Sequence, residues 1–88
     1  MKRVIVNCKR VKDSADLYNL FEKKLRAPEY FGRNLDALHD ILTEMNITLE
    51  VRSFGKLRET LGDYADSLES MLRATNEECD RLNVIIKE

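Results

Sequence analysis

Residues 29–44, EYFGRNLDALHDILTE, decide how the rest of the chain is read. Asn34 suits a helix start, because its side-chain oxygen can accept a free N–H of the first turn. Beyond it, Leu35, Leu38, Ile41 and Leu42 recur at helical spacing and make one apolar stripe. Asp36, Asp40, Thr43 and Glu44 fall on the opposite side, with His39 on the shoulder between them. The spacing predicts a helix that buries leucines and presents acids. Asp36, Asp40 and Glu44 stand four apart in one row, with no Lys or Arg among them from Leu35 onward. Like charges at that spacing destabilise a helix by roughly 0.2–0.5 kcal/mol per pair. The row therefore needs a reason outside the helix.

Working outward, KDSADLYNLFEKKL (12–25) also has helical spacing, with Leu17, Leu20, Phe21 and Leu25 on its buried face. Asp13 is its candidate N-cap, and Asp16 places a charge where the helix N-terminus favours one. Pro28 bars further helix, since the residue before a proline is steered from helical backbone angles. PEYFGR (28–33) is then a loop, with Gly32 free to take positive φ. Upstream, RVIVN (3–7) is a β-branched run expected to be a strand buried on both faces. Downstream, ITLEVRSF (47–54) alternates, with Ile47, Leu49 and Val51 against Thr48, Glu50 and Arg52, and is expected to keep one wetter face.

GKLRETLG (55–62) reads as a short helix stopped by Gly62. DYADSLESMLRATNEEC (63–79) reads as a longer helix, with Asp63 as candidate cap and Tyr64, Leu68, Met71 and Leu72 as its stripe. NVIIKE (83–88) closes as a strand. The order β-α-α-β-α-α-β favours parallel pairing through helical crossovers. The expected fold is α/β, a three-stranded parallel sheet packed with about four helices, in one domain over residues 1–88.

An 88-residue chain buries only about 60–65% of its unfolded surface, so its core is modest. Hydrophobic residues at 43% and charged residues at 35% fit an ordinary globule, and one Pro and three Gly argue against a disordered or collagen-like chain. The net charge of −1 hides an uneven distribution. Lys2, Arg3, Lys9, Arg10 and Lys12 open the chain with no acid among them, and acids dominate the later helices. Such a field can guide a partner whatever the total. MKRVIVNCKR has an apolar run of only three residues, so no signal peptide is expected there, and no transmembrane stretch or membrane partner. Cys8 and Cys79 in a leaderless chain read as buried or idle thiols, which points to the cytoplasm.

His39 is the only histidine, so no metal site is expected, and no cofactor. Neither a Gly-rich phosphate loop nor a nucleophile elbow occurs. His39 beside Asp36 or Asp40 could be drawn as an acid–base pair, but an outward helix face is convex and catalysis needs converging groups. The chain reads as a non-enzyme. The basic N-terminal cluster lacks interleaved aromatics, which argues against nucleic-acid binding. An acidic helix face is usually solvent exposure and nothing more. Here Tyr30 and Phe31 adjoin the acids, and basic partners four residues away are missing. Both details suit an interface.

At this point APEYFGRNLDALHDIL (27–42) resembles the signature segment of the barstar family, intracellular inhibitors of ribonucleases. Pro28, Glu29, Tyr30, Phe31, Gly32, Asn34, Leu35, Asp36, Ala37, Leu38 and Asp40 match the family's run in order. His39 stands where the family usually has Trp, Arg33 where it has an acid, and Ala74 where a fourth-helix Glu is expected. The resemblance implies a barstar-like fold and a proteinaceous inhibitor, a monomer when free. Its helix and preceding loop would cover the active site of a small basic ribonuclease or toxin nuclease, as a bacterial immunity protein does. It implies a partner-binding set of Tyr30, Phe31, Gly32, Asn34, Asp36, His39, Asp40, Thr43 and Glu44, with Asp40 central. The alternative is an adaptor domain of the same fold that binds a basic partner other than a nuclease.

Overall fold

The computed structural model describes residues 2–29 and 31–88. The element order is β1 (Lys2–Asn7), α1 (Ser14–Leu25), α2 (Leu35–Thr43), β2 (Ile47–Arg52), α3 (Phe54–Leu61), α4 (Asp63–Glu78) and β3 (Leu82–Ile86). The three strands form one sheet in the order β1-β2-β3, all parallel. Val4 pairs with Leu49, which pairs with Val84. The α/β architecture with a parallel sheet and four helices is the one expected. No helix among the described residues is long and apolar enough to cross a membrane.

One face of the sheet carries the core. Val4, Val6, Ile47, Leu49, Val51 and Leu82 are buried there, joined by Leu17 and Phe21 of α1, Leu38 and Leu42 of α2, Leu57 of α3, and Leu68 and Leu72 of α4. Each helix thus lays its apolar stripe on the sheet or on its neighbours. On α1 and α4, three buried residues lie outside the expected stripes. Tyr18, 2% exposed, shares a hydroxyl hydrogen bond with Tyr64, while Ala65 and Thr75 of α4 are fully buried. Burial, then the Tyr64 contact, pushes the Tyr18 phenol far above its ordinary value, so it stays neutral.

Two strand readings need correction. β1 is an edge strand covered on one face only, and Ile5 on the other is 37% exposed. A short β-branched run does not reveal whether its second face is covered. β2, whose alternation promised a wetter face, is the central strand, and Glu50 on that face is fully buried. Neighbouring cations do the covering. Arg3 on β1 and Arg52 on β2 both donate to the Glu50 carboxylate, with Arg3 Nε 3.1 Å from Oε1. Lys87 Nζ lies 3.9 Å from Oε2. The long cationic side chains arch over the carboxylate while their heads stay partly in water.

Hydrogen bonds from Arg3, then Arg52, hold the Glu50 carboxyl well down, at about 2. A group whose folded value lies below its unfolded one adds stability above the unfolded value, lost as pH falls through the folded one. Stability is therefore expected to drop between about pH 4.5 and 2. Urea midpoints measured across that range check this. In Glu50→Gln this part of the acid dependence should vanish.

Local chain signals set the helix ends. Asp13 accepts from the Asp16 N–H at 2.8 Å, as its capping role requires. Gly62, φ 55°, stops α3 with its N–H on the Arg58 carbonyl. Asp63 does not cap α4: it is the helix's first residue, and Gly62 holds the cap position. Positive φ among the described residues falls on Arg26, Ser53 and Gly62, not on Gly32. Both cysteines are free, and burial pushes the Cys8 thiol up to about 11, so it is inert at neutral pH.

Candidate functional site

The helix read from residues 29–44 is α2, bounded as its chemistry dictates. Asn34 sits in extended backbone, and its side-chain oxygen accepts from the Ala37 N–H at 2.7 Å. Asp36 adds negative charge to the first turn, where the helix dipole favours it. Leu38 and Leu42 are fully buried, and Leu35 and Ile41 are partly so. With that side in the core, Asp36, Asp40 and Glu44 stand exposed on the other. Asn34→Ala is expected to cost about 1 kcal/mol in chemical denaturation, by freeing one capped N–H.

None of the three acids has a hydrogen bond or ion pair through its side chain among the described residues. The nearest cation in sequence is turned away. Arg33 donates to Asn19 and Glu22 on α1, with Nη2 3.0 Å from the Glu22 carboxylate. That contact ties the loop to α1 and leaves the acid row unneutralised. Thr43 is half-buried, its hydroxyl returning to the Asp40 carbonyl at 2.7 Å.

The loop before α2 is held from within. Phe31, expected at the contact surface, is 8% exposed and packs on Tyr18 with ring centroids 6.2 Å apart. The ring anchors the loop and leaves little of its own surface exposed. Gly32 is exposed; a Cβ there would meet Ala37 Cβ and Asn34 Nδ2 at 3.4 Å, ordinary to tight contact. Tyr30 lies outside the described residues.

His39 faces α4 rather than solvent alone. Its Nδ1 is 2.7 Å from Thr75 Oγ1, and its Nε2 is 3.6 Å from a Glu78 carboxylate oxygen. Thr75 Oγ1 also lies 2.8 Å from the Met71 carbonyl, so this hydroxyl bridges His39 to the backbone of α4. The imidazole is a strut between helices. Glu78 and Thr75 were not read from the sequence as site neighbours. They lie one turn and one residue beyond Ala74, on a helix whose rotation about α2 only the packing fixes.

Beside Asp40 lies a recess of about 360 Å³. Pro28, Ile41 and Met45 give it apolar walls, and Arg26, Asp40 and Glu44 also line it. It joins carboxylates to a greasy floor.

Residues 1–87 match the family described as Barstar (barnase inhibitor). The chain belongs to the Barstar family. This Barstar-family chain is also 33% identical over 91 residues to a Bacillus subtilis (strain 168) protein named "Putative ribonuclease inhibitor YrdF". That similarity covers 99% of this chain and all of the relative.

Proposed function

We propose that the protein inhibits a ribonuclease by laying α2 and the loop before it over the enzyme's active site. The observation that carries this reading is the row Asp36, Asp40 and Glu44, exposed and unpaired among the described residues while Arg33 is engaged elsewhere. A ribonuclease site is cationic because it holds phosphate. Asp40 takes the place of a substrate phosphate there, and Asp36 adds a second charge-assisted contact. Repulsion along the row, unfavourable in the free protein, is relieved when a cationic partner neutralises it. Asn34 and Gly32 form the contact loop, Thr43 and Glu44 extend the face, and His39 borders it with Glu78.

The recess beside Asp40, where two carboxylates outnumber Arg26, suits a Lys or Arg of the partner with its aliphatic stem on Ile41 and Met45. Membership of the Barstar family and the name of the Bacillus subtilis relative support an inhibitor over an enzyme. The target is a small basic ribonuclease or toxin nuclease met in the cytoplasm, bound by the monomer.

A stoichiometric inhibition assay against the cognate nuclease tests the reading. Inhibition should be one-to-one, and the association rate should fall steeply between low and physiological salt as the field is screened. Tight binding of a basic partner with no loss of nuclease activity would instead favour an adaptor of the same fold.

A further inference from the structure

A second charged surface lies apart from the acid row and shares no residue with it. Beyond the carboxyl ends of β1 and β2, an open cleft of about 1260 Å³ is formed by the β1–α1 segment, α1 and α3. Lys9, Arg10 and Lys12 reach it from the first, Lys23 from α1 and Lys56 from α3. We propose that this cleft binds a small ligand carrying several linked phosphates.

Three observations carry the proposal. Lys9, Arg10, Lys12 and Lys23 have no ion pair among the described residues, and Lys56 has only an exposed contact with Glu59 at 3.8 Å. Like charges gathered without partners repel one another, a cost that a multiply charged anion removes. Among the described residues lining the cleft, Asp16 is one carboxylate against five cations, and it accepts from the Lys12 N–H at 3.1 Å.

The neutral groups point the same way. Asn7 uses its carbonyl oxygen on the Lys9 N–H at 3.0 Å, and Asn19 uses its own on Arg33. What both side chains have left for the cleft is N–H donors. Val11, Asp16, Leu20 and Thr60 complete the lining, but the five cations dominate its charge, and their number and spread exceed what one phosphate can satisfy. No aromatic ring lines the cleft, so it lacks the stacking platform that a nucleic-acid strand would use. Lys9, Arg10 and Lys12, three of the five basic residues that open the chain, thus converge with cations from two helices.

Titration of the full chain with tripolyphosphate in low salt, followed by calorimetry, tests this. Saturable binding is expected, weakened by added NaCl and at least about tenfold weaker for orthophosphate. Lys12→Gln with Lys23→Gln should weaken it at least about tenfold, and Lys56→Gln should weaken it too. All three positions are exposed, so an unchanged urea midpoint is expected. Absence of binding, equal binding by the variants, or tighter binding of a single-stranded oligoribonucleotide than of tripolyphosphate would each overturn the proposal.

Discussion

Asp40→Ala is expected to weaken inhibition of the cognate ribonuclease by at least about 2 kcal/mol, roughly thirtyfold in the inhibition constant. The reasoning starts from the free protein, where the Asp40 side chain is exposed and touches no cation among the described residues. Its removal leaves the fold nearly untouched, within about 0.5 kcal/mol, as for surface changes away from special features. In the proposed complex the same carboxylate would be desolvated among the enzyme's cations. Removing it leaves those cations without their counter-charge, which is the larger part of the loss. Asp40→Asn keeps the shape and should lose nearly as much. Asp36→Ala should cost less, and the double variant should fall short of the sum, because the acids share partners. Inhibition constants for the four proteins, with unfolding midpoints as controls, check this. An Asp40→Ala protein that inhibits like the wild type would assign the contact to another face.

The second large effect is on the fold beneath that face. Phe31→Ala should destabilise the protein by about 3–5 kcal/mol, the range for deleting a buried aromatic ring. Small domains have about 5–15 kcal/mol in total, so much of the stability is at stake. Phe31 fills the space against Tyr18 and is the buried side chain that fastens the loop before α2. Phe31→Leu should lose less, since most of the volume remains. Urea denaturation gives both values. Titration with nuclease at low temperature, where Phe31→Ala is still folded, should show weaker inhibition through a loosened loop. A Phe31→Ala midpoint equal to that of the wild type would mean the ring is not a core element.

Local patterns carried most of this architecture. Leu38 and Leu42 declare the buried side of α2 by spacing alone, and Asn34 and Asp13 declare helix starts by their side-chain chemistry. The order of strands and helices then leaves parallel pairing as the simple solution. What stayed hidden depends on neighbours distant in sequence. Glu50 reads as a wet position until β1 and the segment after β3 bring Arg3 and Lys87 over it. Phe31 and Tyr30 are adjacent aromatics, and nothing local says that Phe31 turns inward onto Tyr18. The tie between His39, Thr75 and Glu78 joins two helices whose mutual rotation is a packing result. The acid row was legible because its information lies within one helix. The basic cleft was not, because three separate segments supply it.

The all-parallel sheet has a kinetic consequence. Val4 meets Leu49, and Leu49 meets Val84, so no strand finds its partner through a hairpin. Helices can flicker into being early, yet each ladder must wait for a long loop to close. The chain should therefore refold more slowly than a helical bundle of the same length. During that delay the apolar run of β1 lies open to other chains, and dilute refolding should give the better yield.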